Sequence, residues 1–361
     1  MTTLRTADEP ALGGDAPHGE HGEHADHPPH PRGRRLLGAG LVVLAALVAA
    51  RAATGALGPG ILPDRLQDFV TLTLSVIVES MPFVLLGIVL SIVVQVWLPA
   101  TFFAAWLPRN PVLRRAVISL LGVFLPVCEC GNVPLARGLV VKGFSVSDSM
   151  TFLIAAPIVN PITILTTYQA FGWSDGVLVS RVLGGFVIAN LLGWLYAKKQ
   201  DQDQLLAPAF AAECRVDAGG PHHEHGAGMR LASSATLFRR EMATLLPALF
   251  VGAAIAGAVQ TLVPRSVLLV LGSNPVWSIA AMMALAFVIS ICSNVDAFFV
   301  LPFASTFLPG GLVAFLVFGP IVDIKMLTLL RTTYRPVVLV QLALVVGLVA
   351  AALGLVVNLV A

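Results

Sequence analysis

The chain of 361 residues is 57% hydrophobic and 12% charged, carries a formal net charge of +2 and has a mean hydropathy of +0.87. A soluble domain is about 25% charged, so a water-exposed globular fold is excluded, and the small, dispersed positive charge excludes a nucleic-acid partner. Four cysteines, Cys128, Cys130, Cys214 and Cys292, lack the spacing of a disulfide framework, and reduced thiols are expected.

Residues 1–34 are polar and rich in glycine, proline and histidine. They cannot bury enough apolar surface to offset the entropy of ordering, so a disordered tail is expected. His18, His21, His24, His27 and His30 recur at every third position with acids between them. Such a tract suits loose capture of a divalent metal, because a flexible chain supplies no surrounding contacts to fix the rings. A low-complexity tail without a ligand is the alternative. Within residues 35–58, the apolar run Leu36–Leu57 follows an Arg-Gly-Arg-Arg stretch. This run is long, starts late and lacks a cleavage site, which predicts a retained transmembrane helix rather than a signal peptide.

The segment 66–197 contains the apolar runs Val70–Leu98, Ala116–Val141, Met150–Phe171 and Val177–Ala197. The first exceeds the roughly 20 residues that span a hydrocarbon core. It carries Glu79 beside Pro82. An ionised group at such depth costs a few kcal/mol or more and usually faces a bundle interior or a watery path, so Glu79 is expected to couple protons or to join an ion pair. The second run is interrupted by "LPVCECGNVPLARGLVVKG" (Leu125–Gly143). Backbone left unpaired by Pro126, Gly131 and Pro134 cannot face lipid and must line a cavity or be buried in protein. Cys128 and Cys130 flank Glu129, with Gly131 and Asn132 following. Thiolates suit a soft ion, although a buried free cysteine also serves as a small hydrophobe. In the third run Asn160, between Pro157 and Pro161, is expected either to ligate a substrate or to bridge two helices.

Residues 198–240 are polar, carry a second histidine cluster at His222, His223 and His225, and are expected to be a disordered loop with the same metal affinity. The segment 241–361 holds the runs Met242–Val263, Trp277–Phe299, Leu312–Leu330 and Val337–Val360, with Cys292, Asp296, Asp323 and Lys325 inside or against them. Glu79, Glu129, Asp296, Asp323 and Lys325 are expected to carry protons, to counter a cation's charge or to pair with one another, for example Asp323 or Asp296 with Lys325 or Arg137.

An internal repeat is visible. Pro82, Gly87 and Pro99 recur 165 residues later as Pro247, Gly252 and Pro264; Asn110 and Cys128 recur 164 later as Asn274 and Cys292; Pro157 and Asn160 match Pro320 and Asp323 at 163. Two homologous halves of this kind are a ground plan of secondary transporters, whose site forms near the midplane where the repeats meet. Cysteine at both matching positions then makes Cys128, Cys130 and Cys292 contacts for a common ion. If each interrupted segment is a hairpin returning to its own side, Arg34, Arg114, Lys142, Lys198, Arg240 and Arg331 all fall on the cytoplasmic side, as the positive-inside rule requires. Each half then crosses an odd number of times and the repeats are inverted. The expected fold is an all-α integral membrane protein of about eight or nine apolar helical segments, with Pro/Gly-broken helices at its centre. No phosphate-binding loop, intramembrane histidine or Ser–His arrangement is present, so neither an enzyme nor a cofactor is expected.

The run "CECGNVPLARGLVVKGFSVSDSMTFLIAAPIVNPITI" resembles the signature of the bacterial predicted-permease family that includes YraQ-like proteins and ArsP-like organoarsenical efflux permeases. Cys128, Cys130, Gly131, Pro134, Lys142, Gly143, Phe152, Leu153, Ala155, Pro157, Asn160 and Pro161 carry the match, and the likeness extends over about residues 66–360. Glu129 departs from the small polar residue that many members carry. The resemblance implies a multi-spanning inner-membrane permease, with export of trivalent organoarsenicals through cysteine chemistry in some members. Expected partners are the lipid bilayer, a small inorganic or organometalloid substrate, and a partner membrane protein or a second copy of the chain. A non-transporting scaffold or sensor that binds metal through its histidines is the competing expectation.

Overall fold

A computed structural model describes residues 64–99, 107–124, 127–173, 176–219, 227–262 and 274–360. The expected helix at 35–58, the tail histidines His18, His21, His24, His27 and His30, and His222, His223 and His225 lie outside the described residues. The described chain is helical, with one isolated bridge between Leu206 and Tyr334.

Helix α1 (Asp64–Ile92) ends in a π turn, Val93–Trp97, and is followed by α2 (Pro111–Leu120), α3 (Glu129–Val141), α4 (Val146–Val159), α5 (Pro161–Phe171) and α6 (Val177–Ala197). After α7 (Pro208–Gly219), a second set begins with α8 (Ala227–Leu262) and continues through α9 (Pro275–Ile289), α10 (Asp296–Val300), α11 (Pro309–Phe318), α12 (Ile324–Leu330) and α13 (Pro336–Val360). The second set runs through the same order of long and broken elements as the first. Asn110 and Asn274 each cap the helix that follows through a side-chain oxygen, α2 and α9 respectively, with proline in the first turn. Asn160 and Asp323 cap α5 and α12 in the same way, with proline in the first turn of α5 alone of the two. Capping by a short polar side chain satisfies an orphan backbone N–H, so these asparagines and the aspartate mark where the apolar runs are cut.

Five stretches among the described residues are long and apolar enough to cross a membrane: 65–97, 146–171, 177–197, 230–262 and 336–360. The interrupted runs over Ala116–Val141 and Trp277–Phe299 are pairs of short helices. A helix of at most 15 residues reaches only about 22 Å, so none of these four crosses alone. The run Met150–Phe171 is likewise broken, at Asn160, whose backbone is extended.

Contacts fix how the short helices lie. Along α1 and α3, Ser80 meets Cys130, Ser91 Oγ donates to Pro134 O, and Lys142 Nζ donates to Gln95 O. The two helices therefore run parallel, and α3 begins halfway along α1 and finishes at its C-terminal end. Helix α2 starts at that same end, where Arg114 pairs with Asp148 in the first turn of α4. Thus α2 enters and α3 returns: the pair is a hairpin that goes halfway in. In the second half Gly311 packs on Ser278 and Gly319 beside Ala286, so α9 and α11 run parallel. Both start at the opposite end, where Gly310 N donates to Asn358 Oδ1 of α13. The α9–α10 hairpin accordingly enters from the other side.

The close approach of α1 and α3 depends on glycine. A methyl group on Gly87 would overlap the carbonyl of Gly131, whereas on Gly252, the matching position in α8, the nearest atom would be 3.1 Å away. Gly87→Ala is expected to cost about 1–3 kcal/mol by overpacking and Gly252→Ala much less, read as the shift in unfolding midpoint of the purified protein in detergent.

Over Pro208–Gly219 and from Ala227 onward, the expected disordered loop is instead helical. Leu205, Leu206 and Phe210 are buried, α7 spans Pro208–Gly219, and α8 begins at Ala227. These three apolar side chains, with ion pairs from Glu213 to Arg137 and Arg240, supply the buried surface that the polar composition conceals.

Candidate functional site

The two hairpin tips meet at the centre of the bundle. Cys128 caps α3 with extended backbone, and Glu129 opens it. On the other side α9 stops at Ser290, a non-glycine residue held at φ 53°. Such a left-handed conformation is strained, and it turns Cys292, Ser293 and Asn294 toward the first tip. Glu129 Oε2 accepts from Ser293 Oγ (2.9 Å), from Ser293 N (3.3 Å) and from the Cys292 thiol (3.8 Å). Glu129 Oε1 accepts from Lys325 Nζ at 3.3 Å. All of these groups are buried. One ligand atom each from Cys128, Glu129 and Cys292 lies within 4.8 Å of the others, a spacing that one metal ion or metalloid atom can bridge. Two sulfurs and one carboxylate make a soft-to-borderline donor set. Cys130, whose thiol also contacts Cys128, points toward Ser80 Oγ at 3.9 Å.

The remaining residues singled out by sequence hold the tips in place. Asn132 Nδ2 and Asn160 Nδ2 both donate to Val127 O, at 3.4 and 3.1 Å, so two asparagines pin the carbonyl just before Cys128. Gly131 provides the close contact with α1. The Glu79 carboxylate, half-buried on α1, faces the backbone N–H of Cys292. Asp323 Oδ1 accepts from Met326 N at 2.5 Å, while Asp323 Oδ2 and Asn132 Oδ1 are buried without a hydrogen-bond partner.

The ion pairs are not the example pairs of Asp296 or Asp323 with Lys325 or Arg137. Lys325 pairs with Glu129 rather than Asp323 or Asp296, because the first turn of α12 faces the start of α3 across the interface between halves. Asp296 pairs with Arg181 of α6, its two oxygens receiving Nη1 at 2.9 Å and Nη2 at 2.7 Å. Arg181 also donates to Thr167 Oγ1 and Ser293 O, and Thr163 Oγ1 donates to Asn294 Oδ1, so the second tip is braced by the first half. Arg137, at the far end of α3, joins Glu241, Glu213 and Thr332 O and lies 4.0 Å over the Phe210 ring. It is distant from the cysteines and ties the hairpin to α7 and α8. Sequence reasoning missed Arg181, Ser293 and Glu241. Arg181 was detectable as a lone charge in an apolar run, and Ser293 as the counterpart of Glu129 at the repeat spacing of 164.

A family model described as a predicted permease matches residues 65–359. The chain is 37% identical over 262 residues to the UPF0718 protein YcgR of Bacillus subtilis, covering 73% of this chain and 87% of that one. It is 31% identical over 287 residues to a putative two-component membrane permease complex subunit of Streptococcus mutans, covering 78% and 91%. The UPF0718 protein YraQ of Escherichia coli is 30% identical over 117 residues, about a third of each chain. No solved structure matches.

Proposed function

The chain belongs to the predicted-permease family, and we propose from that premise that it exports a soft metal or metalloid species, a divalent metal or a trivalent arsenical, by secondary, ion-coupled transport. The observation that carries the reading is the convergence of Cys128, Glu129 and Cys292 from two oppositely entering hairpins. Thiols on opposed half-helices at mid-bundle can be exposed to either side by small movements of one half against the other, the way inverted-repeat transporters work. The order of elements in the two halves and the capping residues at matched places support an inverted repeat. Arg114, Lys142, Lys198, Arg240 and Arg331 gather at one end of the bundle, which the positive-inside rule makes cytoplasmic. Glu79, beside the second tip and half-buried, is the proton-coupling group of this reading. The plasma or inner membrane is the proposed location. A partner membrane subunit is proposed because the Streptococcus relative is described as a complex subunit.

A strain lacking the protein is compared with the complemented strain for growth across divalent metals, trivalent arsenicals and antimonials. Sensitivity to at least one thiophilic species, rescued by the intact chain, is the expected result; equal growth on the whole panel would sink the reading. Deleting residues 1–34 and 221–226 separates export from a sensor role, since a permease keeps most of its flux without the histidine tracts.

A further inference from the structure

We propose that Lys325 is a resident counter-cation of the Glu129 site, which a thiophilic divalent cation displaces and Asp323 then receives. The inference rests on reading the Cys128–Glu129–Cys292 cluster as the cargo site. Both oxygens of Glu129 are occupied, but only Lys325 brings charge to them; Ser293 and Cys292 are neutral donors. At 3.3 Å the Lys325 contact is longer than the roughly 2.7–2.9 Å of a strong charge-assisted bond. A cation arriving between the two thiols therefore meets a carboxylate already neutralised by a loosely held ammonium.

A buried ammonium cannot be left without a carboxylate, because an uncompensated charge in a dry interior costs several kcal/mol. The fold supplies a second berth. Asp323 caps the helix that carries Lys325 two residues later, is 1% exposed, and has Oδ2 without a partner. Lys325 already interacts electrostatically with it. An orphaned carboxylate oxygen is costly, so moving the ammonium to Asp323 satisfies that oxygen as it frees Glu129. The incoming ion then takes Glu129 Oε1, and the coordinating thiols release their protons to solvent. A trivalent arsenical, which bonds thiols as a neutral species, needs no freed carboxylate and would leave Lys325 in place. Displacement of Lys325 is thus specific to a divalent cation.

The test is calorimetric titration of the full chain, purified in detergent, with Cd2+. Apparent affinity falls with the fraction of sites that are competent, so Lys325→Met is expected to bind Cd2+ about tenfold or more tightly than the wild type. Asp323→Asn, which removes the second berth, is expected to bind about tenfold more weakly. Binding to Lys325→Met that is unchanged or weaker overturns the proposal. Should that variant not remain monodisperse, Asp323→Asn decides, and unchanged affinity there overturns it. Cys128→Ser separates the two levels of the argument. If it binds Cd2+ like the wild type, the cargo-site reading itself fails; if it loses binding while Lys325→Met is unaltered, only the counter-cation role fails.

Discussion

Serine in place of Cys292 is expected to lower transport of a thiophilic cation by more than the roughly 10–100-fold that loss of a supporting contact costs a metal site. Cys128→Ser should do the same, because the two sulfurs come from different hairpins and neither can stand in for the other. The hydroxyl is close in size and keeps the packing, but it is a hard, weakly acidic ligand that a soft ion prefers to avoid. Uptake of the ion into everted vesicles, with protein amount matched by immunoblot, is the measurement. Cys214, on α7 and outside the cluster, provides the internal control, and its serine variant should transport near the wild-type rate. Normal flux through both Cys128→Ser and Cys292→Ser would remove the thiol site from the mechanism.

The second large effect is expected at Arg181. Its guanidinium is buried, paired in fork geometry with Asp296, and bonded to Thr167 and the Ser293 carbonyl. Truncating one partner of a buried pair leaves an uncompensated charge, at about 3–5 kcal/mol. Arg181→Met should therefore lower the unfolding midpoint in detergent steeply. The double variant Arg181→Met/Asp296→Leu leaves no charge stranded and should recover most of the stability. It should not recover transport, since the tip carrying Cys292 and Ser293 loses its brace. If single and double variants are equally destabilised, the pair is not what holds the tip.

Prolines, glycines and asparagines made the breaks in the apolar runs legible, because these residues have few permitted roles at depth. Asn110, Asn160, Asn274 and Asp323, each singled out by the repeat spacing, cap helices. Charge partners were not legible in the same way. Lys325, Asp296 and Arg137 were each recognisable as costly buried charges, yet their partners, Glu129, Arg181 and Glu241, lie 196, 115 and 104 residues away. A favourable ion pair depends on a few ångströms of separation, which no sequence period encodes. The segment 198–240 was misread for a related reason: its mean composition is polar, but Leu205 and Leu206 are buried beside the turn that leads into α13, and Phe210 and Glu213 meet Arg137 of α3.

Composition and hydropathy by themselves determined that this chain lives in a bilayer, since about 20 consecutive apolar residues have no other stable environment. The spacing of cysteine, proline and asparagine pointed to two related halves, and the motif around Cys128 to a permease family. Only the tertiary structure decided that the hairpins enter from opposite ends, that Glu129 rather than Cys130 joins Cys128 and Cys292, and that a lysine already occupies the carboxylate. Burial energy depends on how much apolar surface a segment carries, which is additive along the chain. Coordination depends on where side chains from distant segments end, which the packing of helices alone sets.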